Sequence, residues 1–357
     1  MFPTPSHASR NEPPDPALPF PRFVSLGEAL TDLIRDPHQP EQWTSKPGGA
    51  PWNVARVLAG FGVSSAFAGA ISNDVFGDAI WRASVQCGLD PRFEQRVAKS
   101  PLLAIVDSFD PVHYFFIGDD SADLHFDPAL LPQHWQQHAA WAHFGGISLV
   151  REPLASRLIT LARSSKAAGL RISFDPNFRV LMDERYDRNL RVMVELADVI
   201  KVSDEDLRGL FRTENLELAL RTLRTWNPHA LLLFTRGAEG ATLFLQDRSW
   251  SARPPPIKVV DTIGAGDASM GGLLYSLMQS PHADPAHHLQ FAVASAASAC
   301  QVAGAGTPTL QQVKDLVQNI TVRGPDQVQG TMLGSLPAST LVSCDASSTA
   351  MLLALRE

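Results

Sequence analysis

The chain has 357 residues, 45% hydrophobic and 19% charged, with a formal net charge of −7. That length holds one large α/β domain with a smaller appendage, or two modest domains. The acidic balance argues against a nucleic-acid surface, which needs clustered Lys and Arg. Cys87, Cys300 and Cys344 lie too far apart for a disulfide framework or a zinc site, so a reducing compartment, the cytoplasm, is expected.

Residues 1–22 are proline-rich, lack the apolar run of a signal peptide and read as a disordered leader. Short apolar strands then alternate with amphipathic helices. Phe23–Leu26 reads as a strand, and Pro51–Phe61 as a helix with Val54, Val57, Leu58 and Phe61 on one face and Gly62 as its stop. Strand Ser65–Ala68 is followed by a capped helix over Asn73–Gln86. Strands at Ala142–Phe144, Arg171–Phe174 and Val199–Val202 alternate with helices at Pro153–Ala168 and Tyr186–Ala197. Ala230–Phe234 and Ala241–Leu245 flank a glycine-containing turn.

Two stretches break this rhythm. Leu30–Lys46 and Arg96–Phe116 alternate apolar and polar residues with no helix after them, which predicts antiparallel strands outside the main sheet. The alanine-rich run Phe291 to Gly306 is interrupted by Ser295, Ser298 and Gln301 and reads as a packed helix, with no membrane partner. The expected fold is α/β: a mostly parallel sheet covered on both faces, a three-layer α/β/α sandwich, with a small β-sheet lid. Its parts are the leader (1–22), a main domain (23–320, lid from about 30–46 and 96–120) and a tail (321–357) with no assigned role.

The chemistry gathers at Asp261-Thr262-Ile263-Gly264-Ala265-Gly266-Asp267. Ile257–Val260 reads as a strand, Thr262–Gly266 as a tight loop, and Asp267 onward as a helix carrying Met270, Leu273, Leu274 and Leu277. A glycine loop entering a helix aims unpaired backbone N–H groups at an anion. The helix dipole is expected to hold Asp267 ionised at a low pKa, a weak base that suffices where proton transfer is late in phosphoryl transfer. An aspartate there is usually only a helix cap. Capping, however, requires neither two glycines nor Asp261 six residues earlier.

Two other readings of the loop fail. A dinucleotide fingerprint needs a third glycine where Ser269 stands, and no G-x-x-x-x-G-K-[ST] occurs. The eleven histidines show no metal-ligand spacing such as H-E-x-x-H.

The seven-residue segment resembles the DTxGAGD signature of the ribokinase-like (PfkB) carbohydrate kinase family, in particular its fructokinase-like members. Further motifs follow the family order over roughly residues 23–318. They are Gly27–Asp32, Pro47–Ala55 with Gly48, Gly49 and Asn53, Ser121–Asp123, Ser173–Arg179 and Thr235–Gly240.

The resemblance implies transfer of the ATP γ-phosphoryl group to a primary hydroxyl of a monosaccharide, with fructose first. 2-Keto-3-deoxygluconate, ribose and nucleosides are the alternatives, and a non-catalytic sensor on the same fold is the rival class. By resemblance Asp267 is the base, with Gly264, Ala265 and Gly266 around the phosphoryl group. Asp32, Gly48, Gly49, Asn53, Phe115 and Arg179 would meet the sugar; Thr235, Gly237, Gly240, Asp261 and Thr262 the nucleotide; and Asp175, Asn177 and Asp206 the Mg²⁺.

A monovalent cation (K⁺) beside the Asp261–Asp267 loop and a homodimer formed through the lid are implied in the same way. There are two departures. The family's N-x-x-E stands here as Ser203-Asp204-Glu205-Asp206, with Glu205 as the fallback acid. Ile117 replaces an arginine common after two aromatics, which favours a neutral sugar.

Overall fold

The computed structural model describes residues 19–109, 112–302, 304 and 306–328. Residues 1–18 of the leader and 329–357 of the tail lie outside the described residues. The strands are β1 (Phe23–Leu26), β2 (Leu30–Arg35), β3 (Trp43–Gly48), β4 (Ser65–Ser72), β5 (Glu94–Val97), β6 (Leu103–Phe109) and β7 (Val112–Ile117). They continue as β8 (Trp141–Gly145), β9 (Arg171–Asp175), β10 (Val199–Ser203), β11 (Leu231–Thr235), β12 (Ala241–Leu245), β13 (Arg248–Ala252) and β14 (Val322–Gln327).

Ten strands form one sheet in the order β14-β13-β12-β11-β10-β9-β8-β1-β4-β5. From β5 to β11 every neighbouring pair is parallel, and β12, β13 and β14 add antiparallel edge strands. Successive side chains alternate between two cores because strand side chains point to opposite faces. Val24, Ala142, Ile172 and Leu232 pack under the helices Leu154–Ala167 and Asp187–Leu196. Phe23, Trp141, Leu231 and Leu233 pack under Ala50–Gly60, Ala265–Gln279 and Pro285–Ala299. Burial on both faces explains why these strands read as nearly unbroken apolar runs.

β1 pairs with β4 on one side and β8 on the other, so the strand order reverses there. Ligands of open α/β sheets bind outside the carboxyl ends of the strands at such a point. Above that edge stands the lid, a second sheet in the order β3-β2-β6-β7.

The structure corrects four expectations about the strands. The lid is not all antiparallel: β2 and β6 pair in parallel, Thr31 opposite Leu103. Ile257–Val260 is not a strand. Pro254, Pro255 and Pro256 bring it in without amide donors, and the Val260 amide donates instead to the Cys300 carbonyl at 2.8 Å. The tail is not all outside the domain, since Val322–Gln327 pairs with β13. The fourth concerns Phe115, taken with the site below. Among the described residues no helix is long and apolar enough to cross a membrane.

Candidate active site

A cleft of about 2020 Å³ runs between the lid and the carboxyl ends of the strands. That is roughly twice the upper range for a single drug-sized ligand, so two ligands fit side by side. Its floor is the start of the helix Ala265–Gln279.

Gly264 caps that helix with φ 78°, a left-handed conformation that glycine adopts without strain. The first helical bond runs from the Ala268 amide to the Gly264 carbonyl at 2.9 Å. The amides of Gly266 and Asp267 precede it and have no intrahelical acceptor. Asp267 is buried, and Asn53 Nδ2 donates to its Oδ2 at 2.8 Å. Asn53 Oδ1 is buried and receives no hydrogen bond, so it remains an acceptor at the cleft wall. Behind Asn53, Trp52 Nε1 donates to Ser84 Oγ, which donates to Glu94, anchoring the helix that presents Asn53.

The expected low pKa of Asp267 is overturned. Burial pushes it up to about 7 and Asp175 adds to the rise, against Asn53, Lys201 and Arg179. Desolvation of a carboxylate outweighs a helix terminus here.

Lys201, in the middle of β10, went unnoticed in the sequence. Its ammonium lies 3.1 Å from Asp175 Oδ2 and 3.6 Å from Asp206 Oδ2, with all three side chains buried. Burial alone would lower its pKa, but the carboxylates of Asp175, Asp206 and Asp267 outweigh that and hold it raised. Asp206 closes a capping box: its Oδ2 accepts from the Ser203 amide at 2.6 Å and its Oδ1 from the Phe178 amide at 2.7 Å.

Asp175, Asn177 and Asp206 therefore do not assemble as a metal cage. Lys201 stands between Asp175 and Asp206, each Asp206 oxygen already accepts one amide, and Asn177 Oδ1 accepts from Arg179 at 2.6 Å. Glu205 lines the cleft without joining them. Among the described residues no three His, Cys, Asp or Glu side chains are grouped for a metal ion.

On the lid side, Asp32 sits opposite Lys46 across β2 and β3, and both line the cleft. Burial lifts its pKa to about 6, with Arg179 and Lys46 opposing. Gly48 leaves the space that the Asp32 carboxylate fills. Gly49, at φ 112°, lets the entry to the Asn53 helix cross the backbone of Glu28 and Ala29. Phe115 corrects an expectation: it pairs opposite Ile105, and with Ile117 faces away from the cleft, while Phe116 lines it. One residue's difference reverses the side of a strand.

At the other end, Thr235 leads into the turn Gly237–Glu239, closed by the Arg236 amide donating to the Gly240 carbonyl at 2.8 Å. Nothing stands within 4 Å of where a Gly237 side chain would begin, so a ligand can approach its backbone. Asp261 accepts from the Ile263 amide at 3.0 Å and the Gly304 amide at 2.7 Å, fixing the loop that carries Thr262 along the cleft. The cleft thus has a polar end at Asp32 and Asn53, a glycine-lined end at Gly237, and Asp267 with its amides between them.

The pfkB family carbohydrate kinases match residues 21–312. The fructokinase of Escherichia coli is 33% identical over 258 residues, 71% of this chain and 83% of that protein. The fructokinase of Vibrio alginolyticus is 35% identical over 273 residues, 73% and 85% of the two chains. A fructokinase with bound ATP from Xylella fastidiosa superposes at TM-score 0.76 with 29% identity, covering 83% of this chain and 98% of its own. The Vibrio cholerae O395 fructokinase in its fructose-, ADP- and calcium-ion-bound form gives 0.74 and 28%, covering 84% and 99%. The chain belongs to the pfkB family of carbohydrate kinases, phosphotransferases that act on a sugar hydroxyl.

Proposed function

We propose that this carbohydrate kinase is a cytoplasmic fructokinase that moves the γ-phosphoryl group of ATP to a primary hydroxyl of fructose. The observation that carries the reading is Asp267, held by Asn53 beside the unpaired amides of a helix start, midway along a two-ligand cleft. The sugar lies against Asp32, Asn53, Gly48, Gly49 and Arg179, and the nucleotide against Thr235, Gly237, Gly240, Asp261 and Thr262. The bond from the sugar oxygen to the γ-phosphorus forms as the bond to the β-phosphate oxygen breaks. Asp267 takes the hydroxyl proton, and the amides of Gly266 and Asp267 meet the charge on the phosphoryl oxygens. ADP leaves with the broken bond's electrons. Mg²⁺ in this reading comes with the nucleotide phosphates, because the residues present do not form a cage for it.

The test is ADP release from Mg-ATP with fructose, 2-keto-3-deoxygluconate, ribose and adenosine. Fructose-dependent turnover is expected, and a preference for another acceptor would replace the substrate. Ligand binding without turnover for any of them would point to a sensor and sink the enzymatic reading.

The pH profile follows from Asp267. A base must be ionised, and its carboxyl rests at about 7. Therefore kcat/KM for fructose is expected to be flat above neutrality and to fall about tenfold per pH unit well below pH 7. An acid limb near pH 4 would show that another group takes the proton.

The outer face of the lid exposes Trp43, Phe115 and Ile117, each about half open to water. We infer that this face pairs with the lid of a second copy. Sedimentation is expected to show a dimer that Ile117→Lys dissociates; a wild-type monomer at micromolar concentration would refute the pairing.

A further inference from the structure

A fully buried lysine needs a partner, and one that faces two carboxylates together with a phosphate-binding turn has more than one task open to it. Lys201 is flanked in β10 by Val199, Ile200 and Val202, and its own side chain is 5% exposed. Its ammonium lies 3.1 and 3.3 Å from the two oxygens of Asp175 on β9 and 3.6 Å from Asp206 at the start of the helix Asp204–Phe211. The third neighbour is backbone: a side chain added at Gly266 would begin 3.1 Å from that ammonium. His143 on β8 also feels its charge, and burial keeps that imidazole neutral. One cation thus occupies the space between two acids that would otherwise be free to share a metal ion. It also backs the turn that faces the cleft.

We propose that Lys201 is the fixed cation of this site, standing where a protein-bound divalent ion would otherwise bridge Asp175 and Asp206. It holds both carboxylates in place and sets a permanent positive charge behind the Gly264–Asp267 turn. The inference rests on the phosphotransferase reading above and deepens it. Lys201 is a positioning residue: it acts on the phosphoryl group through that turn and through the two acids. It has two consequences. A divalent ion reaches the site only with nucleotide phosphates, so the protein alone offers it no place. A side chain at position 266 would crowd the ammonium, which would have to shift by a few tenths of an ångström.

The test uses the full chain and Mn²⁺ alone, followed by the EPR signal of the free ion. Wild type is expected to leave millimolar Mn²⁺ unbound in the absence of nucleotide. Lys201→Met, which leaves Asp175 and Asp206 facing each other, is expected to take up Mn²⁺. Wild-type binding that Asp175→Asn abolishes would overturn the proposal, as would a folded Lys201→Met that binds none.

Kinetics give a second readout. Lys201→Met is expected to lower kcat by about 10²–10³-fold, a loss of the kind seen on removing one electrostatic donor. The KM for fructose should move less than about threefold and Lys201→Arg should recover part of the rate, as expected if only the transition state is affected. A folded Lys201→Met with kcat within threefold of wild type contradicts the proposal. If Lys201→Met does not fold, the wild-type Mn²⁺ titration decides, together with Lys201→Arg, whose kcat must exceed a hundredth of wild type. Absence of turnover in wild type itself would count against the kinase reading, and the Mn²⁺ titration would still judge Lys201.

Discussion

Asp267→Asn is expected to lower fructose-dependent ADP release by about 10³-fold while raising the melting temperature at pH 8. The two effects share one cause. Asparagine keeps an oxygen to accept from Asn53 Nδ2, so the local geometry survives. What disappears is a buried carboxylate, and with it the proton acceptor.

The sign of the stability change follows from its pKa of about 7 in the fold against an ordinary 3.8. Below pH 3.8 the carboxyl is neutral in both folded and unfolded chains and costs nothing. Between pH 3.8 and about 7 the unfolded chain has released a proton that the fold still holds, so wild type loses stability across that window and above it carries the full cost, which the asparagine variant avoids. Thermal unfolding at pH 8 and pH 5 is expected to show a gap in favour of the variant at pH 8 that narrows at pH 5. A variant that is inactive and also less stable at pH 8 would mean that Asp267 is structural. Activity within tenfold of wild type would remove it as the base. A gain in stability with a loss of rate is the usual sign of a site strained for function.

How much of this could be read from the sequence depends on whether the cause is local. The glycine loop, the helix it opens and Asp267 at its start are set by residues within one turn, and they appear where the sequence places them. Asn53 was legible for the same reason, from the glycine pair that precedes its helix.

Lys201 was not legible, because a lysine among Val199, Ile200 and Val202 resembles any strand residue until Asp175, Asp206 and Gly266 surround it. The pKa of Asp267 was misjudged because the helix dipole is local and burial is not. Phe115 failed on strand parity, which depends on where the pairing of β6 and β7 begins. Ile257–Val260 has the composition of a strand and lacks a neighbour to pair with; its amide found the end of the helix Pro285–Ala299 instead. In each case contacts distant in sequence decided the outcome.

Gly49→Ala puts this last point to a test that changes no titrating residue. At φ 112° an alanine is strained, and its side chain would begin 2.6 Å from the Glu28 carbonyl oxygen and 2.9 Å from the Ala29 Cα. Both obstacles are backbone, so neither can swing aside. The chain leaving β1 and the chain entering the Asn53 helix must separate. Asp32 moves with the first and Asn53 with the second. A 1 Å displacement of a positioned group costs about 10²-fold in rate, so kcat/KM for fructose is expected to fall at least that far. Strain at one such residue costs about 1–3 kcal/mol, and stability is expected to fall by that or more.

Gly62→Ala is the control. Its φ of 84° is equally unfavourable for alanine, but nothing stands within 4 Å of the new atom. It is expected to cost about 1 kcal/mol and to leave kcat/KM unchanged. Equal losses in the two variants, by thermal unfolding and by kcat/KM, would show that the crossing at Gly49 does not position the site. A hundredfold kinetic loss at Gly49 alone, in a chain still folded at the assay temperature, would show that it does. The glycine pair would then serve to set Asp32 and Asn53 at their working separation, in addition to opening the backbone to a ligand.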